Sequence, residues 1–231
     1  AQLFPLYPDE TREVILEIFK SNNWIEIGRK DINEIGWATT FRVENWDDSK
    51  DIRYRLLHGK NAKYEGLIRK NPLDKEVITM AAFSCNSNKD RGDRDNYIKN
   101  IDHLDPDILF FAGDQSYDHK EHTAAWLKFG MQFREIFRDR PCITIPDDHD
   151  IGQGNLWGES GKIASSPAGN DGGYFYDKDY VKMVERAQTN HLPDPYDSSP
   201  IDQGIGVYYT NLQLGGIDFA IIEDRKFKSG P

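Results

Sequence analysis

The sequence predicts an α/β protein with a parallel βαβαβ core behind a small β-rich N-terminal region. Three apolar runs carry this prediction: Val77 to Phe83, "DILFFAGD" and "CITIPDD", each patterned like a strand buried on both faces of a parallel sheet. The segments between them are helical in pattern. "DRDNYIKNIDHL" separates the first two runs. In "EHTAAWLKFGMQFREIFRDR", between the second and third, Trp126, Phe129, Phe133, Ile136 and Phe137 recur at the spacing of one helical face. Strand, helix, strand, helix, strand implies right-handed crossovers and strands that all point one way.

Two regions follow from the change in pattern, an accessory β-rich region over 1–74 and an α/β region over 75–231. At the front, "DETREVILEIFKSNN" fits either a helix with Asp9 near its start or a strand "VILEIF". "GWATTFRVENW", "DIRYRLLHG" and "KYEGLIRK", separated by the turn-like "DDSK" and "GKNA", read as a meander of short antiparallel strands. After Gly158 the chain is loop-rich through "GESGKIASSPAGNDGGYFYD". A helix "DYVKMVERAQTNHL", a turn cluster "PDPYDSSP" and two strands, "GVYYTNLQL" and "IDFAIIED", complete the order.

Composition narrows the function classes. A formal net charge of −10 and a pI near 5.1 repel phosphate backbones, which argues against duplex nucleic acid as a partner. Acidic excess serves solubility, or surrounds cations. No apolar stretch approaches the roughly 18 to 20 residues of a membrane span, and no export-type apolar segment opens the chain. "GESGK" lacks the spacing and the final Ser or Thr of a phosphate-binding loop.

In a parallel sheet every strand delivers its C-terminal end to one edge, where such folds place ligands. Three loops meet there: Ser84, Cys85 and Asn86; "GDQSYDH" with Asp114 and Tyr117; and Asp147, Asp148, His149 and Asp150. Cys85 ends the first strand and Cys142 starts the third, so the pair lies at opposite edges and is not expected to form a disulfide. Cys142 reads as a small buried hydrophobe, and Cys85, among polar groups, as a metal ligand. Asp114, after Gly113, is a carboxylate with room to bridge two cations. Tyr117 is either an ordinary loop tyrosine or a phenolate ligand to a strongly Lewis-acidic metal. Asp148 offers oxygen to a second cation. His149 reads as a proton donor, because an extended turn keeps it from the same metal, with Asp150 or Asp147 fixing its tautomer. The bland alternative is a turn whose aspartates cap the next segment. His119 and His122 read as a solvated helix start.

Taken together, "AAFSCNS", "DILFFAGDQSYDH", "TIPDDHDIGQGNLWG", "ERAQTNHLPDP" and "IIEDRKFKS" resemble the PhoD-like alkaline phosphatases, a branch of the calcineurin-like metallophosphoesterases. The resemblance runs from about Val77 to the end. It implies an αββα sandwich, of which this chain would form the front half. It also implies a dinuclear centre that hydrolyses phosphate mono- or diesters with a metal-bound hydroxide as nucleophile. By position, Cys85 and Tyr117 would bind one metal, Asp114 would bridge, Asp148 would bind the second metal and His149 would be the general acid, assisted by Asp150. The resemblance implies Fe3+ and Ca2+, with Zn2+ and Mn2+ as alternatives: thiolate and phenolate suit Fe3+, carboxylates Ca2+. Asn155, Arg225 and His191 are the expected substrate contacts, although Arg225 serves equally in a salt bridge with Asp224 or Glu223. The family's C-terminal metal-ligand motifs do not appear before Pro231, so a further segment or another chain would complete the site. A non-catalytic fragment or assembly subunit binding Ca2+ or a partner chain is the alternative. Extracytoplasmic localisation, periplasmic or secreted, is expected from the resemblance alone.

Overall fold

The front segment forms a strand, β1 (Glu13–Lys20), in which Val14 and Leu16 alternate inward. Ser21 and Asn22, with φ of 52° and 61°, turn the chain into β2 (Asn23–Asp31). Two successive positive-φ residues give a turn whose twist matches that of a hairpin. β3 (Ile52–His58) and β4 (Ala62–Ile68) complete an antiparallel sheet of order β2-β1-β3-β4. The expected strand in "GWATTFRVENW" does not form. Trp37 and Asn45 there have φ of 52° and 53°, which extended backbone cannot carry, and Ala38 makes only isolated bridges. The computed structural model describes residues 1–87, 93–154, 163–166, 173–223 and 225–228.

The βαβαβ unit is β5 (Met80–Phe83), α1 (Arg94–Leu104), β6 (Ile108–Ala112), α2 (His122–Gln132) with α3 (Arg134–Phe137), and β7 (Cys142–Ile145). The three strands are parallel in the order β5-β6-β7. The apolar face expected of one long helix is shared between α2 and α3, which meet at Phe133. Phe129, Phe133 and Ile136 still pack with Leu109 and Phe111 against one side of the sheet. β5 is shorter than the apolar run, and that run is not buried throughout: Met80 is 39% exposed and Val77, before the strand, is 69% exposed.

After β7 comes a single turn, α4 (Asp148–Ile151), and later α5 (Lys178–Thr189), β8 (Tyr208–Leu214) and β9 (Ile217–Glu223). The β8-β9 hairpin covers the opposite side of the parallel sheet, where Tyr208 and Ile221 pack on Ile108 and Ile143. The α/β architecture therefore has helices on one face of the parallel sheet and a second sheet on the other. Among the described residues, no helix is long and apolar enough to cross a membrane.

The N-terminal sheet is joined to this core at the end of α3. Arg138 O accepts from Leu67 N (3.1 Å) and from Tyr54 Oη (3.0 Å), and Tyr64 Oη donates to Arg134 O (2.8 Å). A Cβ at Gly66 would stand 2.0 Å from Arg138 O. Gly66→Ala should therefore part the seam and lower stability by about 1–3 kcal/mol. A urea midpoint equal to that of the parent chain would refute the account.

His122 is not solvated. It is 2% exposed, its Nε2 lies 3.3 Å from Gln188 Nε2, and burial lowers its pKa from 6.5 to about 4. Gln188 Nε2 can only donate, so His122 is a neutral acceptor. A histidine neutral in the fold and charged in the unfolded chain withdraws stability as pH falls from about 6.5 to 4, by about 3 kcal/mol in all. Urea unfolding at pH 7 and pH 4 should show His122→Gln losing less stability on acidification than the parent; equal losses would exclude this group as an acid trigger.

Candidate metal centre

The loops after β5, β6 and β7 leave the same edge of the sheet, and left-handed residues turn them sharply. Cys85 and Asp114 both have φ of 58° and Gly113 has φ of 88°. For a residue other than glycine this conformation costs roughly 1–2 kcal/mol, and such departures gather at functional positions. Gly113 is required sterically: a Cβ there would meet Asp147 Cβ at 2.4 Å. Its absence lets the β6 and β7 loops touch.

Asp150, 1% exposed, ties those loops together. Its Oδ2 accepts from Asp114 N (2.7 Å) and Asp147 N (3.0 Å), and its Oδ1 accepts from Ser116 N (3.0 Å). Asp147 caps α4, and the two aspartates form a capping box. Burial pushes the Asp150 carboxyl up to about 7, against the backbone bonds that favour its charged form. With its oxygens directed to backbone, Asp150 is a scaffold residue; the expectation that it fixes the tautomer of His149 does not hold.

Asp114 stands at the centre. Its Oδ2 accepts from Tyr117 Oη (2.9 Å) and faces Cys85 Sγ (3.6 Å), while its Oδ1 lies 3.4 Å from His149 N. Ligand atoms of Asp114, Asp148 and His149 all lie within 4.8 Å of one another. One oxygen of this carboxylate thus faces a thiol and a phenol, and the other faces the backbone N–H of the Asp148–His149 turn. The segment carrying His149 is helical, not extended, so the imidazole is within ligand range, contrary to the expectation from sequence.

The electrostatics match a cation-binding set. Burial raises the Asp114 carboxyl, and Asp148 and Asp147 raise it further; Asp147 is raised by burial and by Asp148. A cation would relieve this crowding of negative charge. The Tyr117 hydroxyl is raised by burial, by Cys85 and by Asp114, so it is a neutral phenol unless a Lewis acid displaces its proton. Asn86, next to Cys85, is buried with both amide atoms lacking a hydrogen-bond partner among the described residues, an orphaned polar group that a bound ligand would satisfy. Sulfur, phenol, carboxylate and imidazole donors suit a borderline-to-hard cation.

Arg225, in the 3-10 turn Arg225–Phe227 after β9, reaches this edge. It pairs with Asp148 Oδ2 at 2.6 Å and with Asp147 Oδ1 at 3.2 Å; Asp224, one of the salt-bridge partners expected from sequence, lies outside the described residues. His191 is not brought to the site: its Nε2 lies 2.9 Å from Cys142 O, at the start of β7 and the opposite edge of the sheet. Cys85 and Cys142 are free. Asn155 lies outside the described residues. The residue missed from sequence is His119, whose Nε2 is 2.7 Å from His149 Nδ1. The signal was its place on the same loop as Asp114 and Tyr117.

Asp150→Ala would strand three backbone N–H groups and should cost about 3 kcal/mol, with Asp150→Asn losing less because its carbonyl oxygen still accepts. Denaturant unfolding measures both, and a neutral Asp150→Ala would disprove the tie.

No protein-family model and no curated protein matches this chain. Among solved structures, it is similar to the structure of PhoD, with a TM-score of 0.70 at 15% identity over 97% of this chain and 47% of that one. It is also similar to the purple acid phosphatase PPD1 from yellow lupin (Lupinus luteus) seeds, with a TM-score of 0.52 at 16% identity over 90% of this chain and 39% of that one. The chain spans about half the length of the PhoD chain. At these identities the similarity establishes architecture: nearly the whole chain follows the fold seen in these two structures.

Proposed function

We propose that this chain is a metal-dependent phosphoester hydrolase that holds its metal and phosphate groups at this edge of the sheet. The observation that carries the reading is the position of Asp114, with Cys85 and Tyr117 at one oxygen and the Asp148–His149 turn at the other. Cys85 and Tyr117 would hold one cation, Asp114 would be shared, and Asp148 would serve a second. Iron and calcium fit these donors, with zinc and manganese as alternatives. Bound cations would neutralise phosphate oxygens and ready a water for attack. The remaining tasks fall to the chain. Asp150 and Gly113 hold the loops in register. Arg225, a planar bidentate donor, can exchange a carboxylate partner for a phosphate oxygen. As water oxygen bonds to phosphorus and the P–O bond to the alcohol breaks, His149 gives its proton to the departing oxygen. Action outside the cytoplasm belongs to the same reading, as the resemblance in sequence implies.

A second reading draws on Arg225, whose contact with Asp148 neutralises one candidate ligand. Here the chain would bind a cation near Asp114 without turnover. Metal content and hydrolysis of a chromogenic phosphate ester separate the two. The first reading expects bound metal together with turnover, and Asp114→Asn reducing both, turnover by at least about 100-fold. Metal without turnover would select the second, and full activity in Asp114→Asn would exclude the site.

A further inference from the structure

The imidazole of His149 is gripped on two sides. His119 Nε2 lies 2.7 Å from its Nδ1, with the two rings stacked at 4.9 Å and 29°. The ring of Tyr117 packs on the same imidazole at 4.2 Å and 36°. His119 is itself fixed from behind: its carbonyl accepts from Tyr180 Oη of α5 at 3.2 Å. Gly152 closes the same corner, where a Cβ would stand 3.0 Å from that carbonyl and 2.4 Å from the Tyr176 ring. The two carboxylates that the sequence offers for orienting His149 are engaged elsewhere, Asp150 with three backbone N–H groups and Asp147 with the start of α4 and Arg225.

We propose that His119 is a positioning residue: its Nε2 accepts the Nδ1–H of His149 and leaves Nε2 of His149 as the atom whose proton passes to the departing alcohol. This rests on the hydrolase reading above. A neutral imidazole that gave up its only N–H would be left as imidazolate, so a histidine that gives a proton from Nε2 must also carry one on Nδ1, and the bond at Nδ1 has His149 as donor and His119 as acceptor. When the Nε2 proton leaves with the alcohol, His149 remains neutral and protonated at Nδ1, and the bond to His119 is unchanged. A second imidazole thus does the work more often given to a carboxylate, without adding a further carboxylate beside Asp114, Asp147 and Asp148.

The consequence is visible without activity. In the 15N spectrum of the full chain, the neutral form of His149 should be the Nδ1–H tautomer. His119→Phe, which keeps a ring but removes the acceptor, should move the proton to Nε2. His119→Gln, whose carbonyl oxygen can accept, should retain the Nδ1–H form. In turnover, His119→Phe should slow an alkyl phosphate about 100-fold and p-nitrophenyl phosphate, whose leaving group needs no proton, less than about 3-fold, with His119→Gln recovering much of the alkyl rate. An unchanged tautomer in His119→Phe, or equal loss with both esters, overturns the proposal. The expected tautomer shift in a chain that, loaded with metal, hydrolyses neither ester would leave the His119–His149 assignment standing and sink the hydrolase reading. Should His119→Phe fail to fold, His119→Leu carries the same readouts.

Discussion

The site depends on one buried carboxylate. Asp150 gathers the backbone N–H groups of Asp114, Ser116 and Asp147, so two loops from different strands become one rigid surface. A carboxylate buried this deeply is unfavourable unless its oxygens are met, and three backbone donors meet them. The same bonds consume it, which is why the neighbouring aspartates, and not Asp150, face the candidate centre.

Around that tie the chain tolerates strain and charge that a purely structural edge would avoid. Cys85 and Asp114 adopt left-handed backbone, and Asp114, Asp147 and Asp148 crowd together with burial opposing their ionisation. Arg225 offsets part of that charge from a distant point in the sequence. Protein folds retain such arrangements where a ligand repays them.

Supports reach the edge from elsewhere in the molecule. α5 sends Tyr180 to the carbonyl of His119, while Gln188 meets Gln115 Nε2 at 3.1 Å and accepts Thr144 Oγ1 at its carbonyl. The N-terminal sheet holds the end of α3 through the Arg138 carbonyl, and its following loop holds the segment after α5 through Thr40 and Arg42, bonded to the carbonyls of Asn190, His191 and Leu192. A helix bound on one side by the parallel sheet and on the other by this loop has little freedom to move the groups it presents.

The βαβαβ order, the common edge and the meeting of Cys85, Asp114, Tyr117 and Asp148 were legible in sequence, because apolar periodicity and strand direction are local properties that fix which loops share an edge. The front strand was ambiguous because "VILEIF" satisfies either period over so short a run. "GWATTFRVENW" failed because positive φ at Trp37 and Asn45 leaves no trace in hydropathy. Only the tertiary structure could take Asp150 out of the chemistry, send His191 to the far edge, bury His122 and bring Arg225 and His119 to Asp148 and His149. Those outcomes are set by which hydrogen-bond partners arrive from distant segments, and a linear sequence specifies the donors and acceptors without their pairing.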